Sequence, residues 1–300
     1  MQIRRLGKDG PEVPVLGLGG WPLGGGMGQI DDQTVIDIVR AAIDRGVTLI
    51  DTAEAYLASE ARIGKALKNG YRQRCFLATK VSYDYSRDGI RAAIERSLRT
   101  LGVDYVDLYQ IHTWVRQYPL EEAMATMARL QEAGKARYIG VSNFDAEQMQ
   151  RALQSARFQS TQPIYNLFNR HIETEDAPFC EREGIGILAY SPLAKGLLTG
   201  KYKAGHVFPS HDERHESLNF ESDRFARHLA AIDRLQEVAG DKGISLSQLA
   251  IAWSLRLPAI TCVLFGAKSV AQVEENISAA EVSLSESDID HIEAILANRR

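Results

Sequence analysis

Three apolar runs in the first half of the chain decide its fold, because each run stops at an ionisable residue. They are Val47-Thr48-Leu49-Ile50 before Asp51, Cys75-Phe76-Leu77-Ala78-Thr79 before Lys80, and Tyr105-Val106-Asp107-Leu108-Tyr109-Gln110-Ile111 before His112. Short apolar runs of this kind indicate buried β-strands. If the strands are parallel neighbours, the three ionisable residues meet at one mouth, together with Tyr56, five positions beyond Asp51.

The same alternation of strand and helix continues along the whole chain. Ile90, Ile94 and Leu98, for example, recur at helical spacing within a predicted helix over 87–101. The predicted strands cover 15–19, 48–51, 75–80, 105–111, 137–141, 160–164, 186–190 and 261–265, and the predicted helices cover 32–44, 59–68, 87–101, 120–133, 145–155, 175–183, 223–240, 246–257, 270–279 and 285–297. Eight such units predict a (β/α)₈ TIM barrel over residues 1–300, as one domain without a linker.

Two segments lie outside the alternation. Residues 3–14 predict a β-hairpin with a turn at 7–10, which we expect to close the bottom of the barrel. Residues 194–222 are polar and contain His206, His211 and His215. A loop of this length in a compact domain is usually a binding loop or a lid.

Composition excludes several classes of protein. The chain has 300 residues and a net charge of −4 without a long basic stripe, so we expect no nucleic-acid partner. It lacks a signal-peptide core and any apolar stretch long enough for a bilayer, and its cysteines form no disulfide or metal pattern. These features predict a cytoplasmic protein without membrane contact. His211-x-x-x-His215 has metal-ligand spacing but no evident third ligand, so we expect no metal.

The four strand-end residues suit proton transfer to an oxygen that gains negative charge. A phenol has a pKa of about 10, so we expect Lys80 to lower the pKa of Tyr56. An ammonium about 4 Å away supplies on the order of 4 kcal/mol at a dielectric constant near 20. Asp51 would keep Lys80 charged, and His112 would donate a hydrogen bond to a substrate carbonyl. None of these groups is a reductant, so a cofactor is required.

The end of the chain offers a place for the phosphates of such a cofactor. Gly266-Ala267-Lys268-Ser269 follows the last strand and precedes a helix, and a helix N-terminus is a general anion site. No G-x-G-x-x-G follows an early strand, which argues against a Rossmann domain. Trp21, Tyr85 and Trp114 follow strands on the active face, where they line a substrate pocket or pack the loops.

Taken together, these motifs resemble the aldo-keto reductase superfamily over nearly the whole chain. The segments that carry the resemblance are Gly17-Leu18-Gly19-Gly20-Trp21, Asp51-Thr52-Ala53-Glu54-Ala55-Tyr56, Ala78-Thr79-Lys80, Gln110-Ile111-His112, Gly140-Val141-Ser142-Asn143-Phe144, Gln162 with Tyr165-Asn166, Tyr190 to Lys201, and Gly266-Ala267-Lys268 to Glu275-Asn276. The Tyr190–Lys201 segment resembles the bacterial and potassium-channel-β branch. The resemblance implies NAD(P)H-dependent reduction of aldehydes or ketones, with a small carbonyl compound as the substrate.

The resemblance also implies residue roles. Tyr56 would be the proton donor, Lys80 and Asp51 its tuning pair, and His112 the group that orients the carbonyl. The implied cofactor contacts are Ser142, Asn143 and Gln162 at the carboxamide, Tyr190 under the nicotinamide ring, Ser191, Leu193, Gly196, Leu197 and Lys201 at the pyrophosphate, Lys268, Gln272, Glu275 and Asn276 at the adenosine end, and Gly20, Trp21, Asp51 and Gly266 beside them. The implied substrate contacts are Trp21, Tyr56, Tyr85, His112 and Trp114. Because a cation at Lys268 suits an extra phosphate, NADPH is preferred over NADH.

Two departures and two rival functions accompany this interpretation. Many relatives have a glycine-rich stretch after the tyrosine, whereas here only Leu57-Ala58 links Tyr56 to Ser59, and Phe265 replaces the proline often found before the cofactor glycine. A Schiff-base lyase would use Lys80 as its nucleophile, but it needs a neutral amine, which Asp51 opposes. A non-catalytic redox-sensing subunit, similar to the channel β subunits, would bind the nucleotide and report to a partner. The sequence leaves the physiological substrate and the oligomeric state open.

Overall fold

Eight parallel strands close a barrel in the computed structural model of the chain, which describes residues 1–210, 212–215 and 217–297. The strands are β3 Leu16–Gly19, β4 Leu49–Asp51, β5 Phe76–Val81, β6 Val106–Ile111, β7 Ala136–Ser142, β8 Ser160–Gln162, β9 Gly186–Tyr190 and β10 Ile260–Phe265. Around the barrel their order is β10-β3-β4-β5-β6-β7-β8-β9. The predicted (β/α)₈ barrel is confirmed.

Helices surround the strands at the predicted places. They are α1 Trp21–Gly24, α2 Asp32–Asp44, α3 Ser59–Ala66, α4 Arg87–Leu101, α5 Leu120–Glu132, α6 Ala146–Leu153, α7 Asp176–Glu183, α8 Ser222–Asp241, α9 Leu246–Leu255, α10 Val270–Ser278 and α11 Glu286–Ala297. Short 3₁₀ turns cover Arg72–Arg74, His171–Glu173, Ala194–Thr199, Leu218–Phe220 and Ala279–Glu281. Among the described residues, the short helix α1 is the one α-helix that the sequence did not predict.

Local sequence explains the helix boundaries. In α4, Ile90, Ile94 and Leu98 are buried, as their spacing predicted. At the start of this helix the Ser86 hydroxyl accepts a hydrogen bond from the Gly89 N–H. Gly102 ends the helix with a left-handed φ of 67°. The predicted strand over 160–164 is two residues too long, because β8 ends before Pro163.

The N-terminal hairpin closes the lower end of the barrel. Strands β1 Ile3–Arg5 and β2 Glu12–Pro14 pair antiparallel. Leu6 and Val13 are buried in one cluster with the interior side chains Leu49, Leu108 and Leu188. The Arg4 guanidinium donates hydrogen bonds to the carbonyl oxygens of Leu255 and Ile260, which fixes the hairpin to the wall.

Within the described residues, no helix has both the length and the apolarity needed to span a bilayer. The same part of the chain contains no cluster of three His, Cys, Asp or Glu side chains arranged to hold a metal ion. Of the two histidines with metal-ligand spacing, His211 lies outside the described residues, whereas the Nδ1 atom of His215 is 2.8 Å from the Phe208 carbonyl oxygen.

Candidate active site

The four predicted catalytic residues meet at the carboxyl end of neighbouring strands. Asp51 ends β4, Lys80 lies in β5, and His112 directly follows β6. Backbone hydrogen bonds join the strand ends, from the Glu54 N–H to the Lys80 carbonyl oxygen at 3.2 Å and from the His112 N–H to the Val81 carbonyl oxygen at 3.1 Å. The turn that carries Tyr56 follows Asp51, so the phenol reaches the same point.

Lys80 is the centre of this cluster. Its side chain is fully buried, and its ammonium donates to Asp51 Oδ2 at 2.6 Å, to the Thr52 carbonyl oxygen at 2.8 Å and to the Tyr56 hydroxyl oxygen at 3.4 Å. Three acceptors therefore match the three N–H groups of an ammonium. The pKa of Lys80 is lowered, with burial as the largest cause and the Asp51 carboxylate opposing the shift. The complete set of acceptors favours the charged form.

The expectation that Lys80 lowers the pKa of Tyr56 is wrong for this site. Burial raises the pKa of the phenol well above 10, and the charges of Asp51 and Glu213 raise it further. Because Asp51 lies 2.6 Å from the Lys80 ammonium, the pair presents little net charge to the phenol. Tyr56 therefore holds its proton throughout the neutral range.

His112 is held neutral. Burial, followed by the charge of Lys80, lowers the pKa of His112 to about 3. Its Nδ1 atom lies 2.8 Å from Ser82 Oγ, and its ring meets the Tyr56 ring edge-on at 5.4 Å between centroids. Nε2 is the remaining ring nitrogen, so the imidazole offers one further hydrogen bond to a ligand. The sequence did not single out Ser82.

Three of the predicted nicotinamide contacts are joined to the catalytic cluster. Gln162 Nε2 donates to Asp51 Oδ1 at 2.9 Å, and the Ser142 hydroxyl donates to the Gln162 carbonyl oxygen at 2.7 Å. Asn143 Nδ2 donates to the His112 carbonyl oxygen at 3.0 Å, and Asn143 adopts a left-handed φ of 58°. A shift of any of these side chains would therefore disturb the catalytic cluster.

Tyr190, the predicted platform under the nicotinamide, is half-buried at the end of β9. Its hydroxyl donates to Asn143 Oδ1 at 3.0 Å, which brings the platform beside the predicted carboxamide contacts. At the other side of the mouth, Gly20 packs so closely that a Cβ atom would lie 2.7 Å from Ser59 Oγ and 2.8 Å from the Asp51 carbonyl oxygen. Only glycine fits there.

The predicted pyrophosphate loop follows β9 and has unusual backbone geometry. Ser191, Ala194 and Lys195 all have positive φ values, of 59°, 47° and 57°. Non-glycine residues in this region are costly and cluster at functional sites. Leu197 is fully buried and Leu193 packs on the core, so these two contribute backbone and packing there, with Gly196 between them.

Three cations converge at the predicted phosphate end of the site. They are Lys201, Lys268 and Arg214, and the charge of Arg214 lowers the pKa of both lysines after the larger effect of burial. Asp212 pairs with Arg214 and offsets part of this charge. Lys268 Nζ donates to the carbonyl oxygens of Met27 at 2.9 Å and Gly28 at 3.2 Å. Mutually repelling cations fit a phosphate-bearing ligand.

The remaining predicted adenosine contacts lie around the start of α10. Gln272 Oε1 accepts a hydrogen bond from the Lys268 N–H at 2.8 Å, and buried Asn276 donates to the Gly266 carbonyl oxygen at 3.4 Å. Glu275 is exposed. These contacts fix the backbone at the start of the helix, together with the Ser269 hydroxyl, which accepts a hydrogen bond from the Gln272 N–H at 3.2 Å.

The predicted substrate residues behave differently from one another. Trp21 is half-buried, meets the Tyr56 ring edge-on at 5.1 Å, and donates from its indole N–H to Glu213 at 2.6 Å. Tyr85 is only 3% exposed, and its hydroxyl is bonded to the Ser82 carbonyl oxygen and the Thr113 N–H. Tyr85 thus packs the loops and does not line an open pocket.

Trp114 also forms a hydrogen bond within its own loop. Its indole N–H donates to the Tyr118 carbonyl oxygen at 2.8 Å, and its ring lies 6.4 Å from Phe144. Besides Ser82, sequence reasoning missed Glu213 and Arg214, which belong to the loop over 194–222 that was predicted to be a binding loop or a lid. No periodicity marks single residues in such a loop, and their long-range contacts emerge only from the fold.

A parallel barrel with a Tyr–Lys–Asp–His cluster at its carboxyl end, and three cations at the predicted phosphate end, is the arrangement expected of an oxidoreductase that acts on carbonyl groups. The family model described as "Aldo/keto reductase family" matches residues 15–297. The chain belongs to this family, and it is an NAD(P)H-dependent oxidoreductase of aldehyde or ketone carbonyls.

Curated relatives and solved structures agree with this assignment. Aldo-keto reductase YhdN of Bacillus subtilis is 38% identical, with 99% of this chain and 94% of that protein covered. L-glyceraldehyde 3-phosphate reductase of Escherichia coli K12 is 32% identical, with coverage of 93% and 87%. Aldo-keto reductase yakc [NADP(+)] of Schizosaccharomyces pombe is 31% identical, with coverage of 96% and 89%. The glycerol dehydrogenase AKR11B4 from Gluconobacter oxydans superposes with a TM-score of 0.90 at 33% identity, covering 99% of this chain and 95% of that one.

Proposed function

We propose that this protein reduces aldehydes or ketones with NADPH, and that Tyr56 delivers the proton to the carbonyl oxygen. The observation that carries the proposal is the fully buried Lys80 ammonium, which bonds Asp51 and the Tyr56 hydroxyl at the same time. A reduced nicotinamide, when bound, supplies the hydride. The residues of the chain then have to orient the carbonyl, hold a proton beside its oxygen and stabilise the charge left on the phenol.

Tyr56 can act as the acid although its pKa is raised. A carbonyl that has accepted a hydride becomes an alkoxide, which is a far stronger base than a phenolate, so proton transfer from Tyr56 is downhill. The transfer leaves a negative charge on the phenol oxygen, 3.4 Å from the Lys80 ammonium. Attraction at this distance stabilises the product state in a water-poor site. Lys80 thus contributes mainly by stabilising the Tyr56 phenolate after the proton has moved.

His112 would orient the substrate. Since its pKa is about 3, the imidazole is neutral at working pH and cannot compete with Tyr56 as the acid. With Ser82 at Nδ1, the Nε2 atom donates a hydrogen bond to the carbonyl oxygen and holds it against the phenol.

The residues present fit a nicotinamide dinucleotide with an additional phosphate. Lys201, Arg214 and Lys268 form a cationic cluster next to the N-terminus of α10. One relative, of Schizosaccharomyces pombe, has NADP(+) in its name.

The three cysteines are buried and unpaired, which supports the proposal of a reducing cytoplasmic setting.

The decisive experiment is Tyr56→Phe, assayed by loss of reduced-nicotinamide absorbance over a panel of aldehydes and ketones. Turnover should fall by about 10³-fold or more, whereas the Kd for NADPH should change little, because the ring remains and only the proton donor is removed. Strong residual activity would contradict the assignment of Tyr56.

Two further tests on the same protein separate the proposed function from the two rival functions. Borohydride trapping of a substrate carbonyl on Lys80 would favour a Schiff-base lyase, which the three bonds of the buried ammonium argue against. A redox-sensing subunit would bind the cofactor but fail to turn over any simple aldehyde repeatedly.

Cofactor preference is tested by Lys268→Met. We expect the wild-type protein to bind NADPH more tightly than NADH, and the variant to lose about tenfold in NADPH affinity with little change for NADH, because one charged contact to a phosphate is removed. Lys68→Met, at an exposed lysine after α3, is the matched control. Equal binding of both cofactors by the wild-type protein would refute the preference.

A further inference from the structure

Exposed apolar side chains are concentrated around the mouth of the barrel. Among the described residues six large apolar side chains are exposed, and three of them are Leu57, Tyr83 and Val115, at 68%, 64% and 41%. They follow β4, β5 and β6, which are consecutive strands of the barrel. We call these three residues the apolar rim.

Each member of the apolar rim lies close in the chain to a group of the proposed chemistry. Leu57 follows Tyr56, Tyr83 follows Ser82, whose hydroxyl contacts His112, and Val115 is three residues beyond His112. The rim therefore belongs to the loops that follow β4 to β6, the same loops that carry Tyr56, Ser82 and His112.

Leu57 is held in an unfavourable conformation. Its φ is 49°, in the left-handed region that favours glycine. Hydrogen bonds fix the chain on both sides of it, from the Tyr56 N–H to the Ala53 carbonyl oxygen at 3.0 Å and from the Ser59 N–H to the Tyr56 carbonyl oxygen at 2.9 Å. The surroundings thus impose a strained, exposed leucine beside the proposed proton donor, and such strain is characteristic of functional positions.

In the described loops that follow β4, β5 and β6, charges of both signs lie near the apolar rim. Glu54 is paired with Arg96, and its Oε2 atom accepts a hydrogen bond from the Ser82 N–H, while Asp84 lies in the same loop. Arg116, next to Val115, is an exposed cation in this region. The cationic cluster of Lys201, Arg214 and Lys268 lies instead where Lys268 contacts Met27 and Gly28, and the cofactor phosphates would occupy it.

We infer that the apolar rim selects carbonyl compounds with an apolar tail over phosphorylated ones, and that Leu57 is the main determinant of this choice. The inference rests on the proposed function and deepens it. It sets this chain apart from the relative named L-glyceraldehyde 3-phosphate reductase, whose substrate carries a phosphate by its name. The tail packs on Leu57, Tyr83 and Val115 and removes their surface from water, so affinity rises with tail length.

The experiment measures kcat/KM for straight-chain aldehydes from propanal to octanal at saturating NADPH. We expect an increase of about two- to fourfold per methylene until the rim is covered. In Leu57→Asn the ratio of octanal to propanal should fall about tenfold. Asparagine is chosen because it tolerates positive φ and is close to leucine in size, so the loop keeps its shape. Leu57→Gly is the second variant, and thermal unfolding confirms that both are folded.

Ile3→Asn is the matched control, because Ile3 is a similarly exposed apolar residue, at 61%, in the hairpin at the opposite end of the barrel. Its octanal-to-propanal ratio should equal that of the wild type. Glyceraldehyde 3-phosphate should be no better a substrate than glyceraldehyde. A preference for the phosphorylated compound that disappears in Arg116→Gln would overturn the inference in favour of an anionic tail.

A failure of this inference can be distinguished from a failure of the proposed function. If the wild-type protein reduces aldehydes but kcat/KM does not depend on chain length, or if Leu57→Asn keeps the full dependence, the apolar rim does not determine specificity and the proposed function survives. If no aldehyde or ketone is reduced with either cofactor, the proposed function is wrong and the inference fails with it.

Discussion

Ser82→Ala tests what decides which ring nitrogen of His112 carries the proton. A neutral imidazole carries one proton, and the partner of one ring nitrogen decides which nitrogen bears it. Ser82 Oγ is 2.8 Å from Nδ1, and the hydroxyl can either donate or accept. Donation to a substrate carbonyl requires the proton on Nε2, and this requires the Ser82 hydroxyl to donate to Nδ1. Removing the hydroxyl should therefore impair catalysis at a residue that never touches the substrate.

The expected size of the effect follows from a single neutral hydrogen bond. Such a bond contributes about 1 kcal/mol net, which corresponds to roughly a fivefold change in the ratio of the two tautomers. The edge-on contact with the Tyr56 ring, at 5.4 Å, still limits rotation of the imidazole in the variant. We expect kcat to fall by up to about fivefold in Ser82→Ala, with the Kd for NADPH unchanged. Ser82→Thr keeps the hydroxyl and should retain most of the activity.

Two measurements check this reasoning. Steady-state kinetics give kcat and KM for the wild type and both variants, and nitrogen NMR of labelled histidine reports which ring nitrogen of His112 carries the proton. We expect protonated Nε2 in the wild type and a mixture in Ser82→Ala. Protonated Nδ1 in the wild-type protein, or full activity in Ser82→Ala, would refute the proposed role of Ser82.

Two further predictions concern stability. Lys80→Met leaves the Asp51 carboxylate buried without its cation, so it should destabilise the fold by about 3–5 kcal/mol and lower the thermal midpoint by several degrees. The double variant Lys80→Met with Asp51→Leu should recover part of the lost stability. An unchanged midpoint in the single variant would contradict a buried pair. For His112 the folded pKa of about 3 lies below the usual 6.5, so the unfolded chain binds the proton first and the stability from neutral His112 is lost as pH falls from about 6.5 toward 3. His112→Gln should remove that part of the pH dependence, at most about 2.5 kcal/mol between pH 6 and 4 and less because the ring is partly exposed. Identical curves for both proteins in urea unfolding would contradict the shift.

The barrel and its catalytic cluster could be predicted because both depend on local patterns. Strands such as Phe76–Val81 are buried on both faces and give apolar runs, and α4 gives helical spacing of Ile90 and Leu98. Once the strands are parallel, the barrel places their carboxyl ends together, so the convergence of Asp51 and Lys80 follows from topology and needs no knowledge of side-chain contacts.

Side-chain partners across loops could not be predicted in this way. Tyr85 and Ser82 both follow β5, yet Tyr85 is buried with a bonded hydroxyl, whereas Ser82 reaches His112. Position after a strand fixes where the backbone is and leaves the direction of each side chain open. Arg214 contacts Tyr202 and lies near Lys268 through a long loop whose path no sequence period specifies.

The sign of the pKa shift of Tyr56 was missed for a different reason. A pairwise argument counts one cation at one distance, whereas the phenol responds to burial and to every charge around it. Burial is the largest cause, and Asp51 and Glu213 act in the same direction. Glu213 lies 157 positions from Tyr56 in the chain, and it is held near by the indole N–H of Trp21.

The arrangement of Lys80 argues for chemistry over a structural role. A buried ion pair is weak support for a fold, because apolar residues of similar volume often stabilise as well or better. A structural pair needs only its two members and their local hydrogen bonds. Here the third hydrogen bond of the ammonium goes to the hydroxyl of Tyr56, a residue whose ring remains partly exposed at the mouth. The charge is therefore placed where a phenolate would form, and the cost of burying it is explained by the stabilisation of that phenolate.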